Sequence, residues 1–467
     1  MAFIYSAVFL VLTTTPVSAI PISSATNTEP IFQPEPIGRG TVGLLTTCLA
    51  TYFLCVWTAV HPNIIPNPTF SRTSTYKITL MILSAIVPEH LVIYSYGQWR
   101  SAKQVREAWL KQFKIKKGED GDIGMEGGFF VVMGGVAVGK ECNRATLTAK
   151  GFQEYLSHIS ITDLRKDIIC EKGKAGLVVK MIVSLQTSWF MIGCAIRVTE
   201  GLPVTLMEIH AMVQILSGVM IYMFWLHKPL DARDPILLDT ALYPPPRTGE
   251  LMGDISSETE VTVDKFPETK IWDPERHYTT EDKRSGTLNP ILKAISDTYD
   301  FVPHTYFKLF QLAFLMTING ACHATAWNLQ FPTDIECWLW RGACVSICVI
   351  PWLQVILVKT AGGTERSFHL LWELRFQKEG LMADVWRAIV RGTSEFFGPI
   401  QGMDQGLSVM AVVKLLFKGW VLVNTAGLAW AYGISVWFVA VEALVSTRSL
   451  PIGAYTTPLW SNYVPQI

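Results

Sequence analysis

Charge is scarce in this chain. Of its 467 residues, 17% are Asp, Glu, Lys or Arg and 50% are hydrophobic, whereas a soluble protein carries about 25% charge. That shortage, with a positive mean hydropathy, argues against an ordinary soluble globule and for a polytopic membrane protein. Neither sign dominates: Lys plus Arg and Asp plus Glu are 39 each, so no basic field suits nucleic acid. Nine cysteines are present, without a CxxC pair. Most lie in apolar stretches (Cys48, Cys55, Cys194, Cys322, Cys344 and Cys348). This spacing argues against a disulfide framework or a zinc site and suits small packing groups. No glycosylation acceptor exists, because Asn67 is followed by Pro68. DDxxD, NSE-like and DxDD runs are missing, as are a Walker lysine motif, HExxH and GxSxG. Magnesium-diphosphate chemistry of the usual prenyl kind therefore lacks its ligands. No internal repeat of the transporter type is visible.

What is present is a succession of apolar spans. Residues 1–19 have an apolar core ending in Val17-Ser18-Ala19 and predict a signal peptide, with an uncleaved anchor as the alternative. Residues 20–40 predict a flexible tail. Spans of about 20 residues are expected at Thr41–Val60, Tyr76–Tyr96, Gly176–Val198 and Pro203–Leu226. Three more are expected at Tyr306–Trp327, Cys337–Val358 and Trp420–Val445. The domain reading places helices one to four in 41–226, with an inserted loop at 97–175, and helices five and six in 305–358. The seventh helix and a C-terminal tail fill 409–467. The loop at 97–175 opens with a basic run from Arg100 to Lys117 and contains Gly127–Val138, too short to span and read as re-entrant or interfacial. Residues 227–304 predict a polar, partly disordered loop, and 359–408 an amphipathic surface segment. The fold class expected is an all-α polytopic bundle of about seven transmembrane helices. Basic loops favour cytoplasmic 227–304 and 359–408; with seven spans this conflicts with a cleaved leader.

Ionisable groups inside spans cost roughly 2.5–3.5 kcal/mol each on insertion scales and mark function. In span three, Gln186, Trp189, Gly193 and Arg197 share one helix face. Span four opens with GLPVTLMEIH, which brings Glu208 and His210 about a turn in. Arg197 and Glu208 could pair across the tight turn, and a simple hairpin-locking bridge is the bland alternative. In span seven, Asn424, Gly427, Ala431, Ser435 and Glu442 form a small, polar stripe, readable as a helix-packing face. Pro88-Glu89-His90 interrupts span two.

The stretch ACHATAWNLQFPTDIECWLWR joins spans five and six. His323 and Trp327 are one turn apart at the end of one span; Glu336 and Trp340 are one turn apart at the start of the next. Both ends, with Asn328, would face a shared volume. A polar turn with an aromatic belt is the plainer alternative.

These pieces carry a resemblance. FLCVWTAVHPNI (53–64), FFVVMGG (129–135), GLPVTLMEIH (201–210), HKPLDA (227–232) and AWNLQFPTDIECWLWR (326–341) resemble a large fungal family of integral membrane proteins. VEALVSTRSLP (441–451) and AYTTPLWSNYVP (454–465) extend the similarity over nearly the whole chain. A few members are membrane-bound terpene cyclases of the ascofuranone and macrophorin type, acting on farnesylated aromatic or epoxycyclohexenone substrates. The resemblance implies an enzyme of secondary metabolism in the endoplasmic reticulum membrane. It implies a lipophilic prenylated substrate, lipid around the chain, contact with other pathway enzymes, and no metal or other cofactor. It carries over no catalytic residues.

The residues suit that chemistry. Such a cyclase protonates a terminal alkene or epoxide and passes the cation along the chain. It needs an acid in a desolvated pocket, aromatic faces for the cation and a dry cavity. The candidate acids are Glu336 and Glu208, then Glu442 and Glu89. His323 joins the catalytic candidates; with Asn328 and Arg197 it would orient the acid or bind substrate oxygens, and Trp327 and Trp340 would line the site. Two other functions compete. A metabolite transporter or channel would line a path with the same charges, and a non-catalytic scaffold would use the large loops.

Overall fold

The computed structural model describes residues 39–65, 69–140, 143–156, 177–230, 235–238, 272–278, 306–360 and 409–457, with isolated positions between them. The expected leader, the tail up to residue 38, the surface segment at 361–408 and most of 227–304 lie outside the described residues. Ten α-helices are described: α1 Thr41–Ala59, α2 Phe70–Ile86, α3 Pro88–Phe113, α4 Gly124–Val132, α5 Ala149–Tyr155, α6 Leu177–Thr199, α7 Leu206–Phe224, α8 Tyr306–Ala324, α9 Asp334–Thr360 and α10 Val409–Val445. Four strands accompany them: β1 Val136–Lys140, β2 Asn143–Leu147, β3 Ile236–Leu238 and β4 Trp272–Tyr278. The protein is therefore mostly helical, but the all-α expectation is corrected by a four-stranded sheet of order β3-β1-β2-β4.

Among the described residues, five helices are long and apolar enough to cross a membrane: Thr41–Ala59, Met181–Thr199, Leu206–Phe224, Asp334–Leu357 and Gly427–Arg448. Leu309–Ala324 is apolar but shorter. The expected second span is not one helix. Val87, at φ −136° and ψ 72°, leaves the helical conformation and ends α2, and Pro88 opens α3. Proline suits a first helical turn because its missing N–H has no intrahelical partner there. Glu89 then sits beside the positive helix end, buried, rather than at a mid-span kink. The basic run expected in a loop rides largely on α3, which continues to Phe113. Ala102, Val105 and Trp109 face inward from it.

The chain divides into two units. The first comprises Met1–Phe53, Leu185–Leu216 and Val302–Ile467; the second comprises Leu54–Ser184 and Ser217–Phe301. In the second unit, α3 packs on α2, α4 and α5. GGFFVVMGGVAV, expected at the bilayer interface, is the heart of this unit: Phe129, Phe130, Val131 and Val136 are fully buried. Gly134, at φ +89°, turns the chain from α4 into β1. A Cβ on Gly128 would strike the Ala102 carbonyl, so glycine is what lets α4 lie against α3. β1 pairs antiparallel with β2 (Ala137 opposite Thr146) and parallel with β3 (Val136 opposite Ile236). β4 joins antiparallel to β2.

In the first unit, α9 packs between α8 and α10. Tyr432, Val436, Val439 and Ala443 form the buried face of α10, while Trp430, Ile434 and Trp437 face outward. The small, polar stripe expected to pack is corrected: Gly427 and Ala431 are exposed, and Glu442 alone of that stripe is buried. Tyr432, Val436 and Val439, at i, i+4 and i+7, bury more area than glycine and alanine.

Candidate active site

The hairpin of α6 and α7 is built from its own sequence signals. Gly201, at φ +71°, ends α6. Its N–H donates to Val198 O, and the N–H of Leu202 donates to Arg197 O. This is the paired Schellman pattern, which wants glycine at the left-handed position. Thr205 then opens α7. The Glu208 N–H donates to Thr205 Oγ1 at 3.3 Å, and the Thr205 N–H donates to Glu208 Oε2 at 2.9 Å. Reciprocal bonds of this kind make a capping box.

That geometry reassigns two candidates. Arg197 and Glu208, expected to pair, do not. Glu208 Oε1 is ion-paired with Arg39, and Oε2 also accepts from Thr205 Oγ1. Both oxygens are occupied by structural work. Arg197 donates to the carbonyls of Pro203, Gly453, Ala454 and Thr456 at 2.7–3.2 Å. A planar guanidinium with five donors suits four carbonyls, so Arg197 fastens the segment after α10.

The stretch between α8 and α9 divides its residues. Thr325, Ala326 and Trp327 each donate to the carbonyl three residues back. At about 120° per residue, Trp327 turns away from the face of His323. Trp327 and Asn328 are exposed, which corrects their expected place in a shared volume. Arg341 donates to Trp327 O and lies between the rings of Trp327 and Trp338, 5.3 and 5.1 Å from their centroids.

Glu336 and Trp340 stay on one face of α9, four residues apart. Trp340 is wholly buried. Its Nε1 donates to His323 O at 3.3 Å, and its ring meets the imidazole edge-on at 6.0 Å and Phe331 at 5.8 Å. His323 is 2% exposed. One turn earlier, Glu336 Oε1 is ion-paired with Arg448 from the turn after α10, while its Oε2 is buried without a hydrogen-bond partner among the described residues. Glu442 on α10 is 4% exposed, and its Oε1 is also without a partner. The charges acting on it are those of Glu336 and Arg448. Glu442 thus lies within electrostatic reach of the ion pair of Glu336 with Arg448. One proton added at Glu442 makes the cluster neutral.

The sequence reading missed a second polar centre, in the second unit. Lys228 is 3% exposed. Its ammonium donates to His61 O at 2.7 Å and to Asn63 Oδ1 and Gln98 Oε1 at 2.9 Å. It also lies 4.3 Å from the centre of the Trp225 ring. Tyr94 OH accepts from Asn63 Nδ2 and Gln98 Nε2. The segments VHPNI and HKPL, noted as separate motifs, are two halves of this network.

Comparison with known families matches residues 5–285, more than half the chain. The chain belongs to DUF8562, a family of unknown function. The matched stretch holds Arg197, Glu208, His210 and Lys228, whereas His323, Glu336, Trp340 and Glu442 follow it. No curated protein and no solved structure matches the chain.

Proposed function

We propose that the protein is a multi-pass, membrane-bound terpene cyclase of the endoplasmic reticulum, with about seven spans. It would start cyclisation of a farnesylated substrate by protonation, without a metal. The observation that carries this reading is the setting of Trp340. Glu336, one turn before it on α9, is ion-paired with Arg448, both act on Glu442 of α10, and an imidazole lies against the Trp340 ring. An acid and a cation-stabilising ring are parts that such a reaction needs.

Glu442 is the acid in this account. Glu336 is held by Arg448 and Glu208 by Arg39, so of Glu208, Glu336 and Glu442 the last is the one left to carry a proton. It delivers the proton to the terminal alkene carbon or the epoxide oxygen, and the positive charge moves along the prenyl chain. The indole of Trp340, reached past the half-buried Phe331, stabilises that charge, an attraction worth about 2 kcal/mol when desolvated. The burial of Trp340 keeps water from trapping the cation. The outward apolar residues of α6 and α10, among them Met181, Leu185, Trp430 and Ile434, suit a surrounding of lipid from which a farnesyl tail would arrive.

The test uses yeast microsomes carrying the full chain, incubated with a farnesylated phenol and with its terminal epoxide. A product of unchanged mass and new retention time by LC-MS, absent from control membranes, is the expected result. No isomer from either substrate would refute the reading.

A further inference from the structure

His210 was not among the residues singled out for chemistry, yet the fold places it against His323. His210 Nδ1 and His323 Nε2 are 3.1 Å apart. The other nitrogen of His323, Nδ1, is 2.9 Å from Asn319 O. A carbonyl only accepts, so His323 Nδ1 carries the proton. With both rings neutral, His323 Nε2 is then an acceptor and His210 Nδ1 must donate to it. His210 is left with its lone pair on Nε2. That nitrogen has no hydrogen-bond partner among the described residues and is not among the sealed, unpartnered atoms. The ring as a whole is half-buried. The chain from Asn319 O through His323 therefore fixes one tautomer and leaves the lone pair of His210 Nε2 unbonded among the described residues.

We propose that His210 Nε2 is the base that takes the proton released when the cation is quenched, with His323 as its positioning residue. This rests on the cyclase reading above. The balance is simple. A C–H bond beside the cation breaks, its electron pair becomes the new C=C bond, and the proton forms an N–H bond at Nε2. Where a phenol oxygen closes the ring instead, its lone pair forms the C–O bond and its O–H proton goes to the same nitrogen. The acid has given one proton and the base has received one, so the product is an isomer and solvent resets both groups. The backbone carbonyl at the far end cannot accept a proton, so the charge leaves by the nitrogen through which it arrived. The ligand class follows: a prenylated molecule with an acidic hydrogen at the site of ring closure.

Two measurements test this on the full chain in detergent. Diethyl pyrocarbonate acylates an imidazole nitrogen whose lone pair is free. Peptide mass spectrometry should find the adduct on His210 and none on His323, and a farnesylated phenol should slow labelling of His210. In His323→Phe, which frees the His210 tautomer, a second adduct at Nδ1 is expected. In microsomes, His210→Gln should lower isomer formation at least ~100-fold, as loss of a general base does, or divert it to a differently quenched product. Preferential labelling of His323, or wild-type cyclisation by His210→Gln, overturns the inference and leaves the proposed function standing. Wild-type membranes that form no isomer overturn the function and the base's role with it, while the labelling still reports whether the pair is built as described.

Discussion

Replacing Lys228 by Met asks which of two large opposing effects wins at a buried ammonium. Taking an ammonium out of water costs several kcal/mol, and an isosteric apolar chain removes that cost. Against it stand three hydrogen bonds from a charged donor at 2.7–2.9 Å, each worth about 1.5–3 kcal/mol, and the face of Trp225. The acceptors decide the sign. In Lys228→Met they remain in place. Asn63 Oδ1 still receives Gln98 Nε2 at 3.0 Å, but His61 O and Gln98 Oε1 lose this donor. A buried acceptor without its donor costs about 1–3 kcal/mol, so the net loss should be about 2–4 kcal/mol. At ~2–4 °C per kcal/mol, the midpoint for loss of monodisperse protein on heating in detergent should fall by roughly 4–16 °C. A Lys228→Met midpoint equal to or above wild type would refute the reasoning.

Three other outcomes are expected. Arg197→Lys replaces a fork that spans four carbonyls by a point donor. Amide hydrogen exchange at Ala454, Tyr455 and Thr456, which bond within the turn after α10, should quicken on the order of tenfold, matching a local loss of about 1.4 kcal/mol; unchanged exchange would refute it. Glu208→Gln leaves Arg39 without its carboxylate and weakens the α7 cap, which should cost about 0.5–2 kcal/mol while isomer formed per folded molecule stays near wild type. The Arg106 guanidinium, then the Gly118 and Gly124 amides, hold the Asp122 carboxyl well below the usual carboxylate range although burial opposes them. The folded-state value is depressed, so this stability is present above the unfolded value of about 3.9 and is lost as pH falls through the folded one. Asp122→Asn should therefore destabilise the protein at pH 7, by a margin that narrows as pH drops below about 4; a gap constant down to the lowest accessible pH would contradict it.

The spanning helices were legible because period and length do not depend on partners. Span one and the helices around Arg197 and Glu208 begin and end within a few residues of expectation. Pro88 misled because proline serves a helix start and a kink equally well, and only Val87's backbone distinguishes them. Gly127–Val138 was apolar enough for either a membrane surface or a protein core; the sheet that covers it is assembled from strands about a hundred residues apart. At the site, the T-x-x-E of Thr205 and Glu208 was a readable capping signal that pointed away from catalysis. Three of Arg197's four partners lie more than 250 residues away, beyond any local pattern. His323 and Trp340 were found because one turn of spacing put them at two facing helix ends. The meeting of His210 with His323, of Glu442 with Glu336, and of Lys228 with Asn63 is tertiary, and spacing carries no trace of it.

The central claim is that Glu442 starts a cyclisation by giving up a proton. Its most direct test is isomer formation by Glu442→Gln in microsomes, normalised to folded protein and set beside wild type. The amide keeps the shape of the side chain and cannot donate a carboxyl proton. A fall of at least ~100-fold is the result predicted, with the variant extracted from membranes as readily as wild type. Isomer formation within about threefold of wild type, less than 1 kcal/mol of barrier, would contradict the account.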